Sequence, residues 1–252
     1  MTPLLAFFFA VTPAALQPLL DHAIPSPSTE YLLIDVHTRE VLASRWLDAE
    51  RPIPLGSLVK PFTALAYSGD FPEFECKGAQ DRCWLKRGHG RLKFTEALAQ
   101  SCNSYFLQLA RRVDSNALQM IAAKYSLAAP SNDSPETRIG LGTGWQISPL
   151  ALTRAYAELS LRSGEPAVAQ ILQGLAASAS SGTSSAIGSG ALAKTGTAPC
   201  TAKLHHVGDG YTLVLEPASA PRVALLVRVH NVPGAEAAKT AARILTIIRT
   251  GK

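Results

Sequence analysis

Ser57 and Lys60 have the clearest capacity for chemistry in this chain, and they lie three positions apart. On a helix this spacing places the hydroxyl and the amine on one face. A serine hydroxyl is a poor nucleophile until a base takes its proton, and lysine can be that base if burial lowers the pKa of its amine. Pro61 is tolerated in the first turn of a helix, so we predict a helix that begins near Ser57 or Leu58. The pair indicates a serine nucleophile activated by a neutral amine.

Two further groups of polar residues follow along the chain. Ser101 and Asn103 form an S-x-N pattern, and the run from Lys194 to Gly196 reads K-T-G. A serine hydroxyl can both donate and accept a proton, an asparagine offers a carbonyl and an amide, and a lysine supplies a cation. With the S-x-x-K pair, these residues provide a nucleophile, a base, a proton carrier and an anion site.

In the order S-x-x-K, S-x-N and K-T-G, the chain resembles the superfamily of penicillin-binding proteins and serine β-lactamases. The resemblance extends from about Tyr31 to Leu245, which is nearly the whole chain. The residues that flank the motifs are similar to those of the transpeptidase domain of class B penicillin-binding proteins: Pro61-Phe62 after the lysine, Tyr105-Phe106 after the asparagine and Thr197-Ala198 after the glycine.

The resemblance implies a catalytic role for each motif residue. Ser57 attacks an acyl carbon, Lys60 accepts its proton, and Ser101 passes a proton to the leaving nitrogen. Asn103 holds Lys60 and the amide of the substrate. Lys194 supplies a cation for the terminal carboxylate of the substrate.

The resemblance also implies how the strand that carries K-T-G binds substrate. The hydroxyls of Thr195 and Thr197 bind the same carboxylate, and Gly196 leaves room for the substrate to lie along the strand as an added edge strand. The backbone N–H groups of Ser57 and Thr197 hold the oxyanion, an interaction often worth about 3 kcal/mol per donor. No metal site and no cofactor are expected.

The implied function is that of a D,D-transpeptidase or D,D-carboxypeptidase that acts on the D-Ala-D-Ala stem peptides of peptidoglycan and binds penicillin covalently. Class A β-lactamases use a glutamate in an E-x-x-L-N setting, which Glu136 lacks, and the Y-G-N element of class D enzymes is missing. We therefore expect a long-lived acyl-enzyme. A β-lactam-hydrolysing or β-lactam-sensing protein, or a non-catalytic cell-wall-binding module, are the alternatives. The expected partners are stem peptides, β-lactam antibiotics and cell-envelope proteins.

The hydrophobic pattern predicts two strands early in the chain and three late, with helices between them. Hairpins and long returns join these strands, so we predict an α+β fold with one antiparallel five-stranded sheet flanked by helices. The resemblance adds an all-helical lobe. The predicted strands are 31–36, 40–46, 191–198, 211–216 and 223–229.

The N-terminal segment and the charge bear on location and partners. Residues 1–16 are mostly apolar and are interpreted as a secretory signal peptide, with a buried helix or a misassigned first residue as the alternatives, because the first basic residue is Arg39. Residues 17–252 are expected to form a single exported domain in a periplasmic or other extracytoplasmic compartment, attached to the membrane if the segment is retained. The net charge is +5, but basic runs do not exceed pairs such as Arg111-Arg112, so nucleic-acid binding is not expected.

Four cysteines fit an oxidising compartment. Cys76 and Cys83 can close a local disulfide around a short loop, and Cys102 and Cys200 each lie beside a motif, although Cys102 also suits a small buried position. Because no C-x-x-C pair occurs, a zinc site is not expected. For His89, a hydrogen-bonding role in the loop and a functional role both remain open.

Overall fold

The computed structural model describes residues 13–199 and 208–251. Its centre is a five-stranded antiparallel sheet, and two short two-stranded sheets lie outside it. The strands are β1 (Thr29–Asp35), β2 (Val41–Ser44), β3 (Ile53–Pro54), β4 (Phe74–Cys76), β5 (Gly90–Leu92), β6 (Gln146–Ile147), β7 (Leu192–Ala198), β8 (Asp209–Glu216) and β9 (Val223–Val229). The α-helices are α1 (Pro13–Ala23), α2 (Lys60–Leu65), α3 (Phe94–Ala99), α4 (Asn103–Ala110), α5 (Ser115–Lys124), α6 (Pro135–Arg138), α7 (Pro149–Ser160), α8 (Pro166–Ser181) and α9 (Gly234–Thr250).

The large sheet has the order β2-β1-β9-β8-β7, which confirms the predicted α+β architecture. Because side chains alternate across a strand, each strand contributes to two separate cores. Tyr31 and Leu33 of β1 face α1 and α9, whereas Leu32 and Ile34 face the helical lobe. The sheet is therefore buried on both faces, and β7 forms one edge.

Local structure differs from the prediction around the first motif. Residues Gly56–Val59 form a 3-10 turn, and the α-helix begins only at Lys60. Ser57 thus lies in the tighter turn that precedes α2, while Pro61 occupies the first turn of the helix, as predicted. The next helix, α3, begins at Phe94, and the Glu96 carboxylate accepts a hydrogen bond from the backbone N–H of Lys93.

The N-terminal helix packs against the sheet. Leu16 and Leu20 of α1 are fully buried, so the predicted boundary at residue 16 falls inside this helix. The rest of the predicted signal peptide, residues 1–12, lies outside the described residues, as do Cys200 and the pair His205-His206. Among the helices of the described segments, none has both the length and the apolarity to cross a bilayer.

The cysteines do not form the disulfide that the sequence suggested. Cys76 and Cys83 are both free and buried, and Cys102 is free and fully buried at the N-terminus of α4. Trp145 is buried and donates a hydrogen bond from Nε1 to the Ala128 carbonyl oxygen at 2.7 Å.

Candidate active site

The 3-10 turn that carries Ser57 packs directly on strand β7. Gly56 has a φ of +60°, and a Cβ atom at this position would lie 2.4 Å from the Thr197 carbonyl oxygen. A Cβ atom on Gly196 would lie 2.6 Å from the Leu55 carbonyl oxygen. Glycine at both positions therefore lets the turn approach the strand. Gly196 lines the cavity, as expected for a residue that gives a substrate room, but its missing side chain makes space for the turn.

Lys60 is fully buried one turn after Ser57. Its Nζ lies 2.7 Å from Asn103 Oδ1, 2.9 Å from the Ser101 carbonyl oxygen and 3.3 Å from Ser101 Oγ. The centroid of the Phe106 ring lies 5.2 Å from the same amine. The short turn between α3 and α4 and the first residue of α4 therefore supply these three polar partners, and Ser101 adopts a φ of +49° within the turn.

Lys194 reaches the same serine from the sheet. Its Nζ donates to Ser101 Oγ at 2.7 Å and to the Thr195 carbonyl oxygen at 2.8 Å. Lys194 is fully buried and is not among the residues that line the cavity. Lys194 therefore contacts the cavity wall through Ser101, and its expected role as the cation for a substrate carboxylate stays a prediction.

Burial sets the protonation of this pair of amines. Desolvation lowers the pKa of Lys60 from 10.5 to about 7, although the nearby thiols of Cys102 and Cys83 partly oppose the shift. Burial also lowers the pKa of Lys194 well below its usual value, and the charge of Lys60 adds to the effect. Near neutral pH one of the two amines can therefore give up its proton, as a general base must.

These residues surround one cavity of about 500 Å³. Thr195 Oγ1 donates to Thr183 Oγ1 at 2.6 Å, and Thr197 Oγ1 accepts a hydrogen bond from the Gly234 backbone N–H at 3.0 Å. The Thr197 hydroxyl therefore keeps its own proton for a ligand. The cavity is lined by Ser57, Trp84, Ser101, Asn103, Leu141, Thr183, Thr195, Gly196, Thr197, Pro233, Gly234 and Ala235.

The structure thus brings every predicted site residue to one place, six of them in the cavity wall and the two lysines beneath it. Sequence reasoning missed Thr183, Trp84 and the N-terminal end of α9 at residues 233–235. Thr183 lies in a Ser/Gly-rich stretch that reads as a loop, and its backbone N–H donates to the Ala99 carbonyl oxygen at 3.1 Å. No motif marks these residues, because folding alone brings them to the cavity.

Glu136 does not reach the cavity. It lies in α6 and forms an ion pair with Arg82. Since it is not among the lining residues, the carboxylate is not positioned to activate water there. This placement agrees with the sequence context, which lacks the E-x-x-L-N pattern.

Comparison with known proteins shows which family the chain is similar to. The family model described as the penicillin binding protein transpeptidase domain matches residues 32–248 of the chain. None of the curated proteins compared with the chain matches it significantly.

Solved structures share the fold at low sequence identity. Penicillin-binding protein 2 of Pseudomonas aeruginosa, in complex with WCK 5153, matches with a TM-score of 0.78 at 18% identity, over 93% of this chain and 74% of that one. Penicillin-binding protein 2 of Helicobacter pylori, in complex with MreC, matches with a TM-score of 0.77 at 14% identity, over 92% of this chain and 62% of that one. Penicillin-binding protein A of Mycobacterium tuberculosis, as a ceftriaxone acyl-enzyme complex, matches with a TM-score of 0.74 at 17% identity, over 93% of this chain and 78% of that one. The chain thus spans about three fifths to four fifths of these proteins.

Proposed function

The chain belongs to the penicillin-binding protein transpeptidase domain family, and we propose that it is a serine D,D-peptidase that forms an acyl-enzyme on Ser57. Its substrates are peptidoglycan stem peptides that end in D-Ala-D-Ala. Penicillins acylate the same hydroxyl, because a β-lactam presents a strained amide beside a carboxylate, as the peptide terminus does. The proposal includes the extracytoplasmic location that such a substrate requires.

One observation carries the proposal. A fully buried lysine whose pKa is lowered to about 7 follows Ser57 by one turn, and its amine shares the Ser101 hydroxyl with Lys194. Burying two amines around one hydroxyl is costly for folding, so a purely structural role is a poor explanation for the arrangement. A base, a proton carrier and a nucleophile in one pocket are what acyl transfer needs.

In the first step the Ser57 oxygen attacks the carbonyl carbon of the scissile amide, and its proton passes to the neutral Lys60 amine. The tetrahedral intermediate then collapses when a proton moves from the Lys60 ammonium through Ser101 Oγ to the leaving nitrogen. D-alanine leaves as a neutral amine, and an ester remains on Ser57. With a β-lactam, the ring C–N bond breaks and the leaving nitrogen stays attached to the adduct.

The backbone of the turn and strand supports the developing oxyanion. A Cβ on Gly56 would lie 2.9 Å from the Thr197 nitrogen, so the peptide groups of Ser57 and Thr197 are close neighbours. We assign their N–H groups as the oxyanion donors. We assign the free proton of the Thr197 hydroxyl, together with Lys194 acting through Ser101, to the recognition of a carboxylate in the cavity.

The fate of the ester distinguishes the possible activities. Attack by the amine of a second stem peptide gives transpeptidation, and attack by water gives carboxypeptidase activity. Glu136 is paired with Arg82 outside the cavity, which supports slow hydrolysis and hence a penicillin target more than a β-lactamase. The ceftriaxone acyl-enzyme of the Mycobacterium tuberculosis protein and the MreC complex of the Helicobacter pylori protein support β-lactams and cell-envelope proteins as partners.

Labelling with a fluorescent penicillin tests the proposal. We expect a stable adduct in the wild-type protein, located on Ser57 by peptide mass spectrometry, and no adduct in Ser57→Ala. Ser26→Ala is a matched control, because Ser26 is also half-buried but lies in the segment before β1. A D-Ala-D-Ala peptide assay, with and without an amine acceptor, then separates transfer from hydrolysis.

Three results would contradict the proposal. Labelling that persists in Ser57→Ala would place the nucleophile elsewhere. No labelling of the folded wild-type protein would favour a non-catalytic wall-binding module. Rapid turnover of a chromogenic cephalosporin would favour a β-lactam-hydrolysing enzyme.

A further inference from the structure

Four side chains that the catalytic geometry does not use converge beside the active site. The sulfurs of Cys76, Cys83 and Cys102 and a ring nitrogen of His89 all lie within 4.8 Å of one another. The three cysteines are free, with exposed fractions of 3%, 7% and 0%. Such a group of soft ligands in a buried position is unusual unless it binds something.

Three of the six distances between these ligand atoms match a tetrahedral metal, and the other three are within 4.8 Å. Cys83 Sγ lies 3.8 Å from Cys102 Sγ, and His89 Nδ1 lies 3.5 Å from Cys83 Sγ and 3.6 Å from Cys76 Sγ. A Zn²⁺ ion with Zn–S bonds of about 2.3 Å and a Zn–N bond of about 2.0 Å separates its ligand atoms by roughly 3.5–3.8 Å. A disulfide requires sulfurs about 2.05 Å apart, so the Cys83–Cys102 pair is spaced for a shared ion.

We propose that Cys76, Cys83, His89 and Cys102 form a structural Zn²⁺ site. Three thiolates and one neutral imidazole are a closed ligand set of the kind that structural zinc sites use. On binding, the thiol protons leave to solvent and the Zn²⁺ ion takes the three sulfurs and Nδ1 as its ligands. The softness of the thiolates selects zinc over Mg²⁺ or Ca²⁺, which prefer oxygen ligands.

The surrounding backbone supports thiolate ligands. The Tyr105 N–H points at Cys102 Sγ at 3.5 Å, and backbone N–H groups of Leu85, Asn103 and Ser104 point at the Cys83 sulfur. Donors of this kind at a helix N-terminus stabilise negative charge on sulfur. Within the described residues, His89 Nε2 has no hydrogen-bond partner, so the thiols are the neighbours that orient this ring through Nδ1.

The absence of a C-x-x-C pair led us to expect no zinc site, and topology explains the difference. Pairing of β4 with β5 sets Cys76 opposite Gly90, next to His89. Between these strands the chain folds back so that the Cys83 N–H donates to the Gly78 carbonyl oxygen at 3.0 Å. The fourth ligand, Cys102, lies between Ser101 and Asn103. The ion would therefore fasten the loop to the turn that holds both active-site lysines.

Metal content and cobalt spectroscopy test the site independently of any acylation. The protein is expressed with Zn²⁺, purified without chelator and analysed for metals. We expect about one zinc ion per chain, and replacement by Co²⁺ should give visible bands of a tetrahedral ion with thiolate-to-metal charge transfer. Cys83→Ser and His89→Ala should lower zinc affinity by at least about tenfold.

Two further variants make the result specific. His89→Cys keeps a tetrahedral set of four soft ligands, so it should retain zinc and show stronger charge transfer in the cobalt form. His37→Ala removes an exposed histidine on the β1–β2 turn and should leave metal content unchanged. Each of three findings would overturn the proposal: wild-type protein that retains no zinc and shows no thiolate band with Co²⁺, stoichiometric iron in place of zinc, or a disulfide among the three cysteines of the purified protein.

Discussion

Lys194 Nζ donates a 2.7 Å hydrogen bond to Ser101 Oγ, although the two residues lie 93 positions apart in the chain. Lys60 Nζ lies 3.3 Å from the same oxygen. The hydroxyl has one proton and can accept from one amine while it donates to the other. When Lys60 is neutral, the Ser101 proton can point at Lys60 while Lys194 donates to the serine oxygen. A single side chain thus couples the protonation of the two buried amines.

Ser101→Ala should break this coupling and leave the other contacts of Lys60 in place. The Ser101 carbonyl oxygen and Asn103 Oδ1 still hold the amine, so we expect a folded protein. The second-order rate constant of penicillin acylation should fall by roughly 10²–10⁴, the range for loss of a proton-transfer group. Stopped-flow fluorescence with a labelled penicillin measures it.

The control for this variant is Ser160→Ala. Ser160 is also buried, and its hydroxyl donates to the Ala157 carbonyl oxygen at 2.7 Å on α7, far from the motifs in sequence. Its acylation rate should stay within about twofold of the wild-type rate, as expected for a substitution that touches no reacting group. An equal loss in both variants would mean that Ser101 acts only through stability.

The acylation rate should depend on pH through the two lysines. Below the pKa of Lys60, about 7, the base is protonated, so the rate should rise with pH and approach a plateau above that value. Burial also lowers the pKa of Lys194 well below its usual value, so the rising limb belongs to the pair of amines and not to one of them alone.

The pH profile of acylation is best measured at constant ionic strength on the folded protein. Lys60→Arg is the matched control, because a guanidinium keeps its charge at every accessible pH and should abolish the rising limb together with acylation. A rising limb centred near 10.5, the usual value for lysine, would show that burial does not activate Lys60.

The order of the motifs and the strand pattern predicted much of this molecule. Strand β9 is rich in apolar residues and begins and ends where predicted, at Val223 and Val229. The roles of Ser57 and the other motif residues stay predictions, but the structure brings them together. These features were predictable because each depends on local sequence and on a motif whose members must meet.

The remaining features depend on contacts between distant segments. The 3-10 turn at Gly56–Val59 is set by packing on β7, which no local pattern records. The pairs β3–β6 and β4–β5 contain two and three residues per strand, too few for an alternation to be recognised. The cysteine cluster is assembled from three separate segments, so its irregular spacing resembles no zinc motif.

Gly56→Ala should be among the most damaging small substitutions in the chain. The new Cβ would lie 2.4 Å from the Thr197 carbonyl oxygen, and alanine would also have to adopt a φ of +60°. We expect the free energy of unfolding to drop by about 3 kcal/mol or more, because strain and a backbone clash add. Denaturant unfolding measures the loss, and acylation should fall with it because the turn must move away from β7.

Gly69→Ala separates the two causes. Gly69 has a φ of +96°, but a Cβ there would meet no atom within 4 Å. The free energy of unfolding of this variant should fall only by the cost of the backbone conformation, about 1 kcal/mol, and its acylation rate should not change. If both variants lost the same stability, the close approach of the turn to β7 would not be what requires glycine at position 56.

Zinc removal should slow acylation without removing any catalytic group. Cys102 lies between Ser101 and Asn103, which together provide every hydrogen-bonding partner that the structure gives the Lys60 amine among the described residues. Without the ion, the α3–α4 turn loses its link to the β4–β5 loop, so we expect acylation to fall by roughly 10- to 100-fold, as when the support of a site is lost.

The rate should return on addition of one equivalent of Zn²⁺ but not of Mg²⁺, which prefers oxygen ligands. His89→Cys, which keeps a ligand, should stay close to the wild-type rate, whereas His89→Ala should match the chelated protein. Full acylation by metal-free protein would show that the turn holds Ser101 in place by its own packing.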